Sequence, residues 1–385
     1  MKNLQKKHLN RNMQQSENIR IILSGGGTGG HVFPAVAIAN AIKEAAPTAE
    51  ILFVGAKGRM EMEKVPLAGY PIEGLWISGL QRRLTADNLM FPFKVISSLY
   101  RAHKIVKSFK PDVVIGTGGY ASGPTLRVAS WLGIPSLIQE QNSFPGITNK
   151  MLASKADIIC VAYEGMDKFF PASKIRLTGN PVRNDIEFSN ISKPAALKHF
   201  NLSEDKVTLL VVGGSLGART INHSIHSGLR TLASGNIQVI WQTGKLYAIQ
   251  AAKAAMEYHE KGIITMPFIK EMDMAYAAAD LVVSRAGAIA ISELCITGKP
   301  SILVPSPNVA EDHQTRNALA LSTRGAAILV RDSDAAADLI HTITELASNL
   351  TEQKKLSTTI SSMAMRNSAH QIAEHVFELA LKTKK

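Results

Sequence analysis

Imidazole titrates near neutrality, which makes His31 the natural candidate for moving a proton. It closes the run Ser24-Gly25-Gly26-Gly27-Thr28-Gly29-Gly30-His31, directly after the apolar stretch Ile21 to Leu23. A strand running into clustered glycines and then a helical pattern is the sequence form of an anion-binding turn. Glycines admit positive φ and remove the β-carbon, so backbone N–H groups and the positive helix end can converge on a phosphate. Glu140, at the end of a later apolar run, is the second group able to accept a proton; a lone His at a helix start is structural as readily as catalytic. Val283-Ser284-Arg285-Ala286-Gly287-Ala288-Ile289-Ala290-Ile291-Ser292-Glu293 has the same strand, turn and helix form. A diphosphate at the amides of Ala288 to Ala290 would gain the helix dipole. Glu293, one turn on, could accept both hydroxyls of a ribose or merely support the first helical turn. The polar stretch from Pro305 to Asn317 could read sugar hydroxyls, or be a solvated loop.

The letters Gly25-x-Gly27-x-x-Gly30 also fit a dinucleotide fingerprint, but the second apolar run, Ile51 to Val54, ends in Gly55-Ala56-Lys57 with no acid for a ribose. Lys57 and Arg59 leave an NADP reading open. Asp332-Ser333-Asp334 spells a metal-binding Asp-x-Asp, yet its place before a helix favours capping.

The elements that must position these residues are short, β-branched apolar runs alternating with helical patterns. Strands are expected at Ile21–Ser24, Ile51–Val54, Ile72–Trp76, Asp112–Gly116, Ser136–Gln139, Asp157–Val161 and Ile175–Leu177. After a break at Gly179–Arg183 and polar sequence to about Ser203, they resume at Val207–Val212, Val239–Gln242, Ile263–Pro267, Leu281–Ser284, Ile302–Pro305 and Ala327–Val330. A long helical tail from Ala335 runs to Lys385. Such runs suit parallel sheets covered on both faces. Two βα-alternating halves imply an α/β protein with two Rossmann-like domains facing across a cleft, its ligand loops at the carboxyl ends of the strands. Expected boundaries are a disordered basic leader over 1–19, a first domain over 20–180 and a second over 181–365.

The chain has 385 residues and a net charge of +12, of which +9 falls in residues 1–175 and +3 in 176–385. An excess in one half points to a polyanionic or membrane-surface partner. The lack of aromatic and basic interleaving argues against nucleic acid. Cys160 and Cys295 lie in separate apolar patterns and are expected as buried thiols, which with the absent signal peptide places the protein in the cytoplasm. Between Leu80 and Lys110, the positions Val95, Leu99, Ala102, Ile105, Val106 and Phe109 have helical spacing and belong to a core. Ahead of them, Leu84, Leu89, Phe91 and Phe93, flanked by Arg82, Arg83 and Lys94, fit a monotopic membrane contact, or ordinary helix-start packing.

Seven segments together resemble one family, the bacterial UDP-N-acetylglucosamine:N-acetylmuramyl-(pentapeptide) pyrophosphoryl-undecaprenol N-acetylglucosamine transferases. They are Gly26-Gly-Thr-Gly-Gly-His31-Val-Phe-Pro34, Gly118-Gly-Tyr-x-Ser-Gly-Pro124, Glu140-Gln-Asn142, Gly179-Asn-Pro-Val-Arg183, Gly213-Gly-Ser-x-Gly-Ala-Arg219, Ser284-Arg-Ala-Gly-Ala288 with Glu293, and Asp312-His-Gln314. The resemblance implies a glycosyltransferase B fold whose final helix, about 366–385, crosses back to the first domain. It also implies metal-independent, inverting transfer of GlcNAc from UDP-GlcNAc to the C4 hydroxyl of lipid I, giving lipid II for peptidoglycan synthesis. The location implied is the cytoplasmic face of the inner membrane, with cell-wall synthesis machinery as a possible partner.

Carried over by position, the UDP-GlcNAc site would use Thr28, Gly29, Gly30, Asn142, Arg183, Ser215, Ile269, Ala288, Ile289, Ala290, Ile291, Ser292, Glu293 and Gln314. Gly26, Gly27, Gly119 and Tyr120 would meet the acceptor diphosphate. His31, then Glu140, would be the base; Arg183 or Ser215 would help the departing UDP. Ala290 stands where relatives often have Thr, which costs a hydroxyl contact. A nucleotide-sugar epimerase could share the architecture, and an NADP oxidoreductase or an inert nucleotide-binding module are the remaining alternatives.

Overall fold

Each expected apolar run is a strand in the structure, a computed structural model that describes residues 19–79 and 90–383. Residues 1–18 of the expected leader and residues 80–89 lie outside the described residues, while Ile19 is buried in the core and does not belong to a disordered leader. The chain divides into two compact units, residues 1–181 with 367–385, and residues 182–366.

Unit 1 contains β1 (Arg20–Gly25), α1 (Gly29–Ala45), β2 (Glu50–Ala56), α2 (Glu61–Leu67), β3 (Ile72–Leu75), α3 (Phe91–Phe109), β4 (Val113–Gly118), α4 (Ser122–Trp131), β5 (Ser136–Glu140), α5 (Ile147–Leu152), β6 (Ile158–Val161) and β7 (Ile175–Leu177). Its parallel sheet has the order β3-β2-β1-β4-β5-β6-β7. Alternation along the strands fills both faces. Ile21 and Leu23 join one core with Val113 and Ile115, while Ile22 joins the other with Val114. That is why these strands read as continuous apolar runs.

Unit 2 contains α6 (Asn184–Glu187), α7 (Lys193–His199), β8 (Val207–Val212), α8 (Arg219–Ser234), β9 (Ile237–Gln242), α9 (Ala248–Ala255), β10 (Ile263–Met266), α10 (Met272–Ala278), β11 (Leu281–Ser284), α11 (Ala288–Thr297), β12 (Ser301–Leu303), α12 (His313–Ser322), β13 (Ile328–Leu329), α13 (Ala335–Ser348) and α14 (Leu350–Ser362). Its parallel sheet repeats the pattern as β10-β9-β8-β11-β12-β13. In both sheets the strand order reverses beside the first strand, between β1 and β4 and between β8 and β11. The crevice outside that switch point is where doubly wound sheets bind ligands.

The helical tail from Ala335 is three helices, the last of them close to the bounds expected of a final helix. Asn349 caps α14 by accepting the Glu352 N–H at 3.0 Å, and Asn367 takes φ +59° before α15 (Ser368–Thr383). Asn and Asp tolerate such left-handed backbone, so the break is local. Helix α15 belongs to unit 1, where Ile372, Val376 and Phe377 are buried against α1 and its sheet. Cys160 and Cys295 are free buried thiols, and burial pushes both up to about 12.

Candidate functional site

In unit 1 the switch-point loops after β1 and β4 are interlocked. Gly26 N–H donates to Gly118 O at 3.3 Å, and a β-carbon at Gly119, where φ is +86°, would overlap the Gly26 backbone. Gly27 N–H donates to Glu61 Oε2 at 2.9 Å, while Glu61 Oε1 accepts from Ala56 N–H at 3.0 Å. The expectation that Gly26 and Gly27 offer their amides to a diphosphate is therefore corrected, because both donors are already engaged. The anion-binding end moves two residues on. His31 and Val32 N–H both donate to Thr28 O, which begins α1 and leaves Gly29 and Gly30 at its first turn, where amides have no intrahelical acceptor. Tyr120 packs its ring against Gly27 and fills the space a side chain at Gly79 would need.

His31 Nδ1 lies 3.0 Å from Gly26 O and 3.3 Å from Thr28 Oγ1. A carbonyl only accepts, so in this contact Nδ1 is the donor and carries a proton. The backbone of His31 is held as well, its carbonyl accepting Thr117 Oγ1 at 2.8 Å.

Glu140 is corrected as a candidate base. Its buried carboxylate accepts from Asn142 N–H and Nδ2, Gly146 N–H and Asn149 Nδ2 at 2.8–3.1 Å. Four donors occupy its four lone-pair positions, so it shapes the loop between β5 and α5. Asn142, expected at the donor, is one of the groups it orients.

In unit 2 the turn Gly213 to Ala218 is held by Gln242, whose Nε2 donates to Gly214 O at 3.0 Å while its Oε1 accepts Ile269 N–H at 2.9 Å. Ser215 is exposed on that turn. The Ile269 side chain is buried and its N–H engaged, which leaves its carbonyl as the group it could offer a ligand. The other switch-point loop leads from β11 through Gly287, in extended backbone, into α11 with no acid in its first turn. Ile289 and Ala290 hold the half-exposed start of that helix. Ile291 is corrected as well, because its side chain faces the core, and Ser292 Oγ donates back to Ala288 O at 3.1 Å.

Glu293 sits at the end of this turn. Tyr276 Oη donates to Glu293 Oε2 at 3.0 Å and Arg183 Nε lies 3.6 Å from Oε1. Burial drives its pKa up to about 7, against the opposing pull of Arg183 and Tyr276. Arg183, also 3.8 Å from Asp185, is thus placed beside the expected ribose ligand. Gln314 Oε1 accepts Ser306 N–H at 2.9 Å, which leaves its amide NH2 to offer a sugar hydroxyl.

Asp332 and Asp334 behave differently from the capping expected of them. Asp334 stands at the N-cap of α13 without a side-chain cap bond and accepts Ser333 Oγ instead. Asp332 pairs with Arg285 Nη1 and accepts Thr220 Oγ1 at 2.9 Å, bracing the β11 turn. Among the described residues, no three His, Cys, Asp or Glu side chains cluster as metal ligands would.

The remaining expected patch is on α3. Phe91 and Phe93 occupy its first turn, whereas Leu84, Leu89, Arg82 and Arg83 lie outside the described residues. Lys94 is corrected as a flank, since it turns inward to Ser78 Oγ at 3.1 Å and the Trp76 ring. The sequence reading missed Ile96 and Tyr100, which are 67% and 64% exposed and line up with Phe93, at 61%, on one helical face. It also missed Glu61, Gln242 and Tyr276, which reach Gly27, Gly214 and Ile269, and Glu293 across long stretches of sequence. An acid opening a helix five residues past β2 was the available signal for Glu61.

Comparison with known proteins matches residues 21–161 to the glycosyltransferase family 28 N-terminal domain and 208–375 to its C-terminal domain. A UDP-N-acetylglucosamine--N-acetylmuramyl-(pentapeptide) pyrophosphoryl-undecaprenol N-acetylglucosamine transferase from Phocaeicola vulgatus is 54% identical over 370 residues, 96% of this chain and 98% of the relative. The protein of the same name from Cytophaga hutchinsonii is 55% identical, covering 95% and 98%. The crystal structure of Acinetobacter baumannii MurG superposes with TM-score 0.75 at 28% identity, over 94% of this chain and 99% of that one. A UDP-N-acetylglucosamine 2-epimerase, TM-score 0.62 at 13% identity over 96% and 98%, shares the fold alone.

Proposed function

Because this chain belongs to the UDP-N-acetylglucosamine--N-acetylmuramyl-(pentapeptide) pyrophosphoryl-undecaprenol N-acetylglucosamine transferases of glycosyltransferase family 28, we propose how its residues divide that work. The protein transfers GlcNAc from UDP-GlcNAc to undecaprenyl-pyrophosphoryl-MurNAc-pentapeptide, lipid I, forming lipid II and UDP. The observation that carries this function is identity above half over almost the full length of both chains.

In unit 2 the amides of Ile289 and Ala290 and the dipole of α11 hold the diphosphate, Glu293 takes the ribose hydroxyls, and Gln314 donates to the sugar. In unit 1 the amides of Gly29 and Gly30 at the α1 terminus meet an anionic or sugar group, and His31 Nε2 takes the proton of the C4 hydroxyl. As that oxygen bonds to the anomeric carbon, the bond to the β-phosphate oxygen breaks and UDP leaves with the electron pair. Attack opposite the leaving group inverts the anomeric centre. Oriented amides and the helix dipole stabilise the charge that develops on UDP, as a preorganised site does. This reading needs no metal, so transfer should persist in EDTA.

The exposed face of α3 supports attachment of unit 1 to the anionic cytoplasmic leaflet. Phe93, Ile96 and Tyr100 share that face with the exposed Lys104 and Lys107, and no described helix is long and apolar enough to cross a membrane.

The test is transfer from labelled UDP-GlcNAc to a short-chain lipid I analogue. His31→Ala should lower kcat by about 10²- to 10⁴-fold. A kcat near that of the wild type removes His31 as the base, and conversion of UDP-GlcNAc without acceptor would favour an epimerase.

A further inference from the structure

Glu61 is fully buried, charged in type, and given no part in the transfer so far. Its two oxygens each accept one backbone N–H, from Gly27 and from Ala56. The Gly27 N–H belongs to the same peptide group as the Gly26 carbonyl, and that carbonyl accepts His31 Nδ1–H at 3.0 Å. The chain of contacts is thus carboxylate, peptide group, imidazole. We propose that Glu61 is a positioning residue for the glycosyl transfer, acting on His31 through the peptide group between Gly26 and Gly27. This rests on the reading of His31 as the base.

A carboxylate on the N–H side of an amide increases the negative charge on its oxygen, and linked hydrogen bonds strengthen one another. A more basic Gly26 oxygen holds the proton on Nδ1, turns the ring, and steadies the positive imidazolium formed when Nε2 takes the acceptor proton. In hydrolases with a Ser-His-Asp triad the carboxylate does this by direct contact. Here one peptide unit stands between, so a weaker effect is expected.

The surroundings are built for this link. A β-carbon at Gly26 would run into the Glu61 carboxylate, and one at Gly55 would meet its side chain. At Gly118 a β-carbon would press on the far edge of the imidazole, Cδ2 and Nε2. Glycines at 26 and 55 let the carboxylate reach the loop, and glycine at 118 leaves the imidazole the room that a β-carbon would take. A purely structural acid would need no such clearance at the imidazole.

Two measurements test the proposal. The first is a double-mutant cycle of Glu61→Gln and His31→Ala on the full chain. Gln keeps the shape but has one acceptor for two N–H groups. Glu61→Gln should lower kcat by about 10- to 100-fold, below the triad case because the link is indirect, with KM for UDP-GlcNAc within about twofold, since the groups proposed to hold the diphosphate and ribose lie in unit 2. In the His31→Ala background the same change should have almost no effect on kcat. An equal loss in both backgrounds overturns the link while leaving His31 as the base, and a normal kcat for His31→Ala alone overturns the reading beneath it. The second uses wild-type protein with 15N-labelled histidine, so it does not depend on the variant folding. His31 should show a protonated Nδ1 and an unprotonated Nε2, and the reverse tautomer overturns the proposal.

Discussion

At the scale of single residues, the two candidate carboxylates of this site were separated by their surroundings. Glu140 and Glu293 both end strand-proximal apolar segments, and nothing in their spacing tells a loop brace from a ligand. The structure distinguishes them by donors: four N–H groups saturate Glu140, whereas Glu293 is buried with one hydroxyl and a loosely placed guanidinium. With a pKa near 7 against an ordinary 4.5, Glu293 carries a proton in the folded protein at pH values where the unfolded chain has lost it. Folding then favours low pH, and this stabilisation, about 3 kcal/mol in full, is lost as pH rises from about 4.5 to about 7. Glu293→Gln should flatten that part of the pH dependence of Tm. The same group sets a binding prediction. If the carboxylate accepts the ribose hydroxyls, the preference for UDP over 2′-deoxy-UDP should grow as pH rises through 7, reaching about 10- to 100-fold for a charge-assisted bond. Isothermal titration at pH 6 and pH 8 measures it, and an unchanged preference in the Gln variant would exclude Glu293 from ribose binding.

At the scale of elements, strands were legible because burial on both sheet faces demands nearly continuous runs rich in apolar and β-branched residues, as in Val207–Val212 and Leu281–Ser284. The glycine turns were legible for the same kind of reason, since only glycine admits the approach of Gly119 to Gly26. What those turns do with their amides was not legible. That depends on Glu61 and Gln242, which reach the turns through space, and on which N–H groups they consume. Helix α3 illustrates the limit from another side. Its core positions follow helical spacing, but nothing in that spacing marks Ile96 and Tyr100 as an exposed apolar pair, which only the place of α3 on the sheet decides. Burying an apolar side chain of this size in an interface is worth about 1.5–3 kcal/mol. Phe93→Ser with Ile96→Ser should therefore weaken binding to phosphatidylglycerol-rich vesicles by at least about tenfold, and added salt should weaken it further by screening Lys104 and Lys107. Sedimentation with vesicles reads this directly; wild-type partitioning in the double variant would remove α3 from the membrane contact.

At the scale of the whole molecule, each buried cluster among the described residues draws on one unit. The buried clusters of unit 1 draw on residues 19–170 and 369–380, and those of unit 2 on residues 182–360. Unit 1 is thereby completed by a segment that follows unit 2 in sequence. Ile372, Val376 and Phe377 of α15 close the core over α1, and His370 pairs with Glu44 at 2.9 Å. The segment that supports the candidate base is thus separated from the rest of unit 1 by all of unit 2, whose own clusters do not include it. Phe377→Ala removes a fully buried ring and should cost about 3–5 kcal/mol of unit 1 stability. The loss should appear as an earlier unfolding transition that carries away transfer to the lipid I analogue. UDP binding should survive that transition, because Glu293, Tyr276 and the α11 turn belong to the other core. Thermal unfolding followed with and without UDP separates the two events, UDP raising only the later one in proportion to its binding. A single transition, with UDP affinity lost together with transfer in Phe377→Ala, would mean that the two cores do not fold as separate units.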